Sequence, residues 1–182
     1  MDHVAKLIDA FSHPSAADRQ WPTYDGQNAF KCEIVRQLED YTDDPRVLTF
    51  FLAVLADHNE FDLARIDMLE MLEWKPWTED ERAAIWPIVL QSVLHDPDEV
   101  VRSYAAMALN TYQNVPQVVA AAESVVRNRT EERNVRSSAF SILERLGPTD
   151  RVVTLLRDLC SDEEFAPTAL RLLREWGEDW QV

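Results

Sequence analysis

Four histidines and two cysteines are the residues of this chain best suited to chemistry, and their placement argues against it. His3, His13, His58 and His95 are widely separated. To hold a metal they would have to converge across a fold with further ligands that the sequence does not single out. His58-Asn59-Glu60 and His95-Asp96 fall at junctions between apolar-periodic segments, where such residues serve as caps and turn formers. Nucleophilic catalysis needs a Ser or Cys with a matched base. Cys32 has Lys31 beside it and no histidine near it in sequence, and Cys160 ends an apolar segment, so both read as structural. Three glycines cannot make a phosphate-cradling loop or a dinucleotide fingerprint. No catalytic residue, no metal site and no cofactor is expected.

A different chemistry, recognition, is better served. Between residues 57 and 81 nine acids face only Arg65 and Lys75. Trp74, Trp77 and Trp86 stand in or just beyond this stretch. A large aromatic ringed by charge is what a protein-binding hot spot needs, because the ring supplies buried area and the charges steer the partner. Trp86 is assigned to the core of its helix. Trp74 falls towards the exposed side of its helix and Trp77 in a loop, 73–82, that reads as enlarged. Either both rings are presented to a partner or the loop folds over and buries them.

These residues must be positioned by helices. Taking Val135 as an origin, Val135, Ala139, Leu143 and Leu146 set a template of apolar residues at plus zero, four, eight and eleven. Val101, Ala105, Leu109 and Tyr112 match it, as do Phe30, Ile34, Leu38 and Tyr41, and Phe165, Ala169, Leu173 and Trp176. Phe61, Leu69 and Leu72 match with Arg65 as an exception at plus four. At about 100° per residue these positions share one helical face. The five copies are spaced by 31, 40, 34 and 30 residues, with a second apolar-periodic segment before each. Residues 13–25 read as a long connection in the first pair. Asp44-Pro45 and Asp96-Pro97 predict an N-cap followed by a first-turn proline, and Thr78/Glu81 and Ser161/Glu164 have capping-box spacing. Pro167 predicts that the last helix starts late or kinks.

Helix pairs recurring every 30–40 residues predict an all-α solenoid of about five antiparallel pairs in one domain, 1–182. The expected pairs are 1–41, 44–74, 78–112, 115–146 and 148–178. The wording "DPDEVVRSYAAMAL" and "RNVRSSAFSIL" resembles HEAT repeats, most closely the short HEAT-like repeats also found in phycobilin lyases. The resemblance implies that the first helix of each pair lines the convex side and the template helix the concave side. HEAT-like hydroxylases carry paired His-Glu dipeptides, which this chain lacks. HEAT-like DNA glycosylases would need a basic concave groove, and here plus nine reads Glu39, Glu70, Asn110, Glu144 and Arg174.

The net charge of −15 repels nucleic acid and anionic lipid and attracts basic proteins. The apolar run 48–56 is about half the length a bilayer requires. No signal peptide is read at the N-terminus, and a cytoplasmic protein is expected. The expected function is therefore non-catalytic: binding a basic partner protein through Glu39, Asp67, Glu70, Glu73, Trp74, Trp77 and Glu144, without nucleic acid or membrane. Small acidic proteins of this sort resemble immunity proteins that neutralise a cognate toxin. Two alternatives stand beside it, a HEAT-like enzyme or accessory lyase with a pocket at His58, His95 or Asp98, and a generic scaffold or adaptor.

Overall fold

The apolar periodicity becomes ten helices and no strand among the residues that the computed structural model describes, 2–15 and 28–178. They run as five pairs: α1 (His3–Ser12) with α2 (Ala29–Glu39), α3 (Pro45–Leu55) with α4 (Asp62–Trp74), α5 (Glu79–His95) with α6 (Glu99–Ala108), α7 (Pro116–Arg127) with α8 (Arg133–Leu146), and α9 (Asp150–Leu159) with α10 (Ala166–Glu175). Even-numbered helices stack in one row, α2 on α4 on α6 on α8, and odd-numbered helices in another, α1 on α3 on α5 on α7. The last pair joins through the rings of Phe140 and Phe165, 5.2 Å apart. The chain is an all-α solenoid with one continuous core between the two rows. Most of the connection expected over 13–25 lies outside the described residues.

Burial corrects the register of the second copy. Helix α8 buries Val135, Arg136, Ala139, Phe140 and Leu143, and α4 buries Ala64, Arg65, Met68, Leu69 and Leu72 at the same intervals. Its origin is Ala64, not Phe61. The copies then begin at 30, 64, 101, 135 and 165, a more even spacing of 34, 37, 34 and 30. Arg65 is no exception, for it occupies plus one, where Lys31, Arg102 and Arg136 stand in their own copies. The apolar count had favoured Phe61 because Ala64 is small and Arg65 is charged, yet both are buried. Glu70 therefore moves to plus six, Glu73 takes plus nine, and Trp74 takes plus ten.

The plus-one residues show why a charge can be buried here. The Arg65 guanidinium donates to Asp96 across the interface with the third pair, and its Nε donates to the Glu60 carbonyl of its own turn at 3.1 Å. Arg102 donates to the Asp96 carbonyl (2.8 Å) and to Glu131 (2.7 Å). Arg136 donates to the Val126 carbonyl (2.9 Å) and to Asp162 (2.6 Å), and Lys31 pairs with Glu60. Each of the three arginines thus ties its own turn to the next, and a buried charge is tolerated only when it is paired and hydrogen-bonded in this way. The series stops at α10, whose plus-one residue is Ala166.

Helix ends follow partly expected chemistry. Asp44 caps α3 by accepting from the Arg46 amide at 3.0 Å, with Pro45 in the first turn, and Thr78 and Glu81 form a reciprocal capping box. The cap of α6 is Asp98 rather than Asp96, because Asp96 is committed to Arg65. Ser161 caps no helix: its hydroxyl donates to the Asp158 carbonyl, and α10 starts late, at Ala166, with Pro167 in its first turn. The segment 73–82 is not an enlarged loop. Only residues 75–78 connect α4 to α5, and the extra length lies in the 17 residues of α5.

Candidate binding cleft on the inner face

A cleft of about 530 Å³ opens between the first two inner helices. Helix α2 and the turn after it supply Arg36, Glu39 and Thr42, and α4 with its C-cap supplies Asp67, Glu70, Met71, Trp74 and Lys75. The 3.6-residue period puts Asp67, Glu70, Met71 and Trp74 on one face of α4, opposite Met68 and Leu72 of the core. Trp74, on the last turn, is 79 % exposed, far more than any other large apolar side chain described.

Trp77 has the opposite fate and is corrected as a contact residue. Its ring is 7 % exposed, and its Nε1 donates to the Leu72 carbonyl at 3.1 Å, satisfying an acceptor left open at the end of α4. Lys75 lies over the Trp77 ring, 4.6 Å from its centroid, and pairs with Asp43 at 3.0 Å. The short turn is therefore stapled by one indole and projects the other. Trp86, half-buried, packs against the core as expected.

The cleft's two cations are already engaged: Arg36 holds Glu33 at 2.9 Å and Lys75 holds Asp43. Glu39 and Glu70 make no ion pair among the described residues. Burial pushes the Asp67 carboxyl up, Glu70 adds to the rise, and the Cys32 thiol and Arg36 oppose it without cancelling it. Burial likewise raises Glu73, opposed by Arg145 and reinforced by Glu70. Burial and the adjacent Asp67 carboxylate push the Cys32 thiol up to about 12, which makes it a poor nucleophile. Around the exposed indole of Trp74 the cleft thus presents Glu39 and Glu70 without an ion pair among the described residues, beside the half-buried Asp67.

Of the seven predicted contact residues, Glu39, Asp67, Glu70 and Trp74 line this one cleft, and Glu73 follows on the same helix. Glu144 sits on α8, two inner helices away, and pairs with Arg171 at 3.3 Å. The nine acids of 57–81 divide among three places: the α3–α4 turn, the inner face of α4, and the first turn of α5. Arg36, Thr42, Met71 and Lys75 were missed as lining residues. Arg36 shares plus six with Glu70 once the register is corrected, which is the signal that would have found it. Asp98 lines a shallow hollow with Asn28, Asn59, Glu60 and Asp62, and neither His58 nor His95 lines it. Among the described residues no three His, Cys, Asp or Glu side chains group to hold a metal, and no helix is long and apolar enough to cross a membrane.

Residues 87–175 match a family model described as HEAT repeats. No curated protein and no solved structure matches the chain. HEAT repeats generally mediate protein interaction through the extended inner surface their stacking creates. The match begins inside α5 and ends with α10, so the cleft lies in the part of the chain outside it. From Pro87 to Glu175 the chain carries HEAT-like repeats, and these continue the two rows of helices that build the cleft.

Proposed function

We propose that this chain is a non-catalytic binding module that takes a basic protein on the N-terminal half of its inner face. The observation that carries this reading is Trp74, 79 % exposed at a cleft whose carboxylates Glu39 and Glu70 make no ion pair among the described residues. An indole held on the last turn of a helix is a pre-ordered anchor, and losing water from its ring supplies affinity that surrounding charge alone does not. The net charge of −15 adds long-range attraction for a cationic partner and repels nucleic acid. The same features suit an immunity protein that neutralises a basic toxin in the cytoplasm. That assignment rests on charge and fold likeness alone.

The test is to recover the partner by affinity capture and measure its association with wild-type protein, with Asp67→Lys/Glu70→Lys, and with Trp74→Ala. The association rate at low salt should fall by about tenfold or more in the charge-reversed protein, with a flatter salt dependence. Trp74→Ala should instead accelerate dissociation. A partner whose rates and salt dependence are indifferent to both changes overturns the reading.

A further inference from the structure

The carboxylates of the cleft gather at the C-terminal ends of their helices. Helix α2 ends at Glu39, and α4 ends at Trp74 with Glu73 just before it and Glu70 one turn back. A helix C-terminus carries partial negative charge, so a base is favoured in the last turn and a carboxylate is not. Helix α8 has Arg145 in that turn and α10 has Arg174, whereas α4 has no base there. In α2 the base is Arg36, and it is turned back along the helix to Glu33. Lys75 is occupied by Asp43 and the Trp77 ring, and Arg145 lies within electrostatic reach of Glu73. Glu39 and Glu70 are both exposed, and they alone of the cleft's carboxylates face solvent fully beside the Trp74 ring. A local electrostatic cost with no gain inside the chain is expected where a surface serves binding.

We propose that the cleft selects an arginine side chain of its partner over a lysine, with the guanidinium stacked on Trp74 and donating to Glu39 and Glu70. The proposal rests on the binding reading above and names the residue that the partner presents. Trp74 and Glu70 are four residues apart on α4, which sets their Cβ atoms about 5–6 Å apart on one face. Glu39 faces them from α2, which packs directly on α4 with its axis about 8–10 Å away. A guanidinium is planar and holds five donors in a fixed fork, so it can lie on an indole and serve two carboxylates at once. A lysine ammonium is a compact, strongly hydrated point charge, and at so open a site it keeps its water. Half-buried Met71, three residues before Trp74, gives the arginine's methylene stem an apolar surface to lie on.

NMR titration of the full chain tests this with the N-acetylated amides of arginine, lysine and citrulline at matched ionic strength. The Trp74 indole N–H is assigned by its loss in Trp74→Phe. Arginine should shift that resonance at millimolar concentration and bind at least about threefold more tightly than lysine, a modest gain in keeping with an exposed site. Citrulline, planar but neutral, should leave it unmoved. Glu39→Gln/Glu70→Gln should weaken both cations. In Trp74→Leu the advantage of arginine should vanish, read from the backbone amides of Thr42 and Glu70. Circular dichroism confirms that each variant is folded. Equal binding of arginine and lysine, or an advantage that survives Trp74→Leu, overturns the arginine specificity and leaves the basic-partner reading standing. Citrulline binding as tightly as arginine, or binding that ignores Glu39→Gln/Glu70→Gln, overturns the role given to the two carboxylates and the proposal with it. A Trp74 resonance silent to all three also overturns the proposal, while the partner's response to Asp67→Lys/Glu70→Lys decides the basic-partner reading separately.

Discussion

The guanidinium of Arg65 and the carboxylate of Asp96 meet between the second and third helix pairs with side chains 3 % and 0 % exposed. The two residues are 31 apart in sequence, and each is also anchored locally, Arg65 to the Glu60 carbonyl and Asp96 to the Asp98 amide at 3.0 Å. This ion pair joins the half of the chain that holds the cleft to the half that carries the HEAT-like repeats. It also explains why a charged residue lies in the core of α4.

Removing one partner of that pair leaves the other buried and unmatched. Arg65→Ala and Asp96→Ala should each cost about 3–5 kcal/mol. The double change Arg65→Met/Asp96→Leu should restore most of the loss, because no buried charge then remains. Guanidinium midpoints at unchanged slope provide the measurement. Single-site costs under about 1 kcal/mol would show that water reaches the pair.

Trp74 and Trp77 should separate cleanly. Trp77→Ala empties a core site and should cost about 3–5 kcal/mol, while Trp77→Phe should cost about 1 kcal/mol for the lost donor to Leu72. Trp74→Ala should stay within about 0.5 kcal/mol of wild type. Trp74 should also be readily quenched by acrylamide, seen as a smaller quenchable fraction in the Trp74→Phe protein.

Asp67 sets a pH dependence of definite sign. Its folded carboxyl binds a proton more tightly than it does unfolded, since burial, aided by Glu70, raises it. Stability therefore falls as pH rises from the unfolded value through the raised folded one. Asp67→Asn keeps an acceptor for Cys32 and should be slightly more stable than wild type at pH 7, with the difference closing in acid. A variant less stable than wild type at neutral pH, or a gap that widens in acid, would count against this assignment.

Cys32 should be slow to alkylate. With its thiol pushed up to about 12, the thiolate is scarce at neutral pH, and burial restricts approach. Iodoacetamide at pH 8 should label it far more slowly in the folded protein than in guanidinium. Equal rates would mean that the Asp67–Cys32 contact is open in solution.

Gly147 ends α8 at φ 79° and ψ −166°, a region that side chains other than glycine rarely enter. Nothing lies within 4 Å of the position a Cβ would take, so the strain is in the backbone alone. Gly147→Ala should cost about 1–3 kcal/mol, read from the denaturation midpoint.

The helical periodicity was legible because it is local. Val101, Ala105 and Leu109 declare a buried stripe whatever they pack against, and Asp44-Pro45 and Thr78/Glu81 cap helices through contacts within a few residues. Stacked repeats bury each stripe on an immediate neighbour, so five such stripes were enough to specify the solenoid. Three features required the tertiary structure. The origin of α4 depended on Asp96 receiving Arg65 from another pair, so a charged residue could occupy a core position. The choice between Trp74 and Trp77 depended on a four-residue turn that brings only the second indole to the Leu72 carbonyl. The grouping of Glu39 with Asp67 and Glu70 came from the packing of α2 on α4. Pattern along a chain identifies a face, because side-chain direction repeats with the helix. It does not show which distant charge will neutralise a buried one, because that energy exists only once the two groups have been brought together out of water.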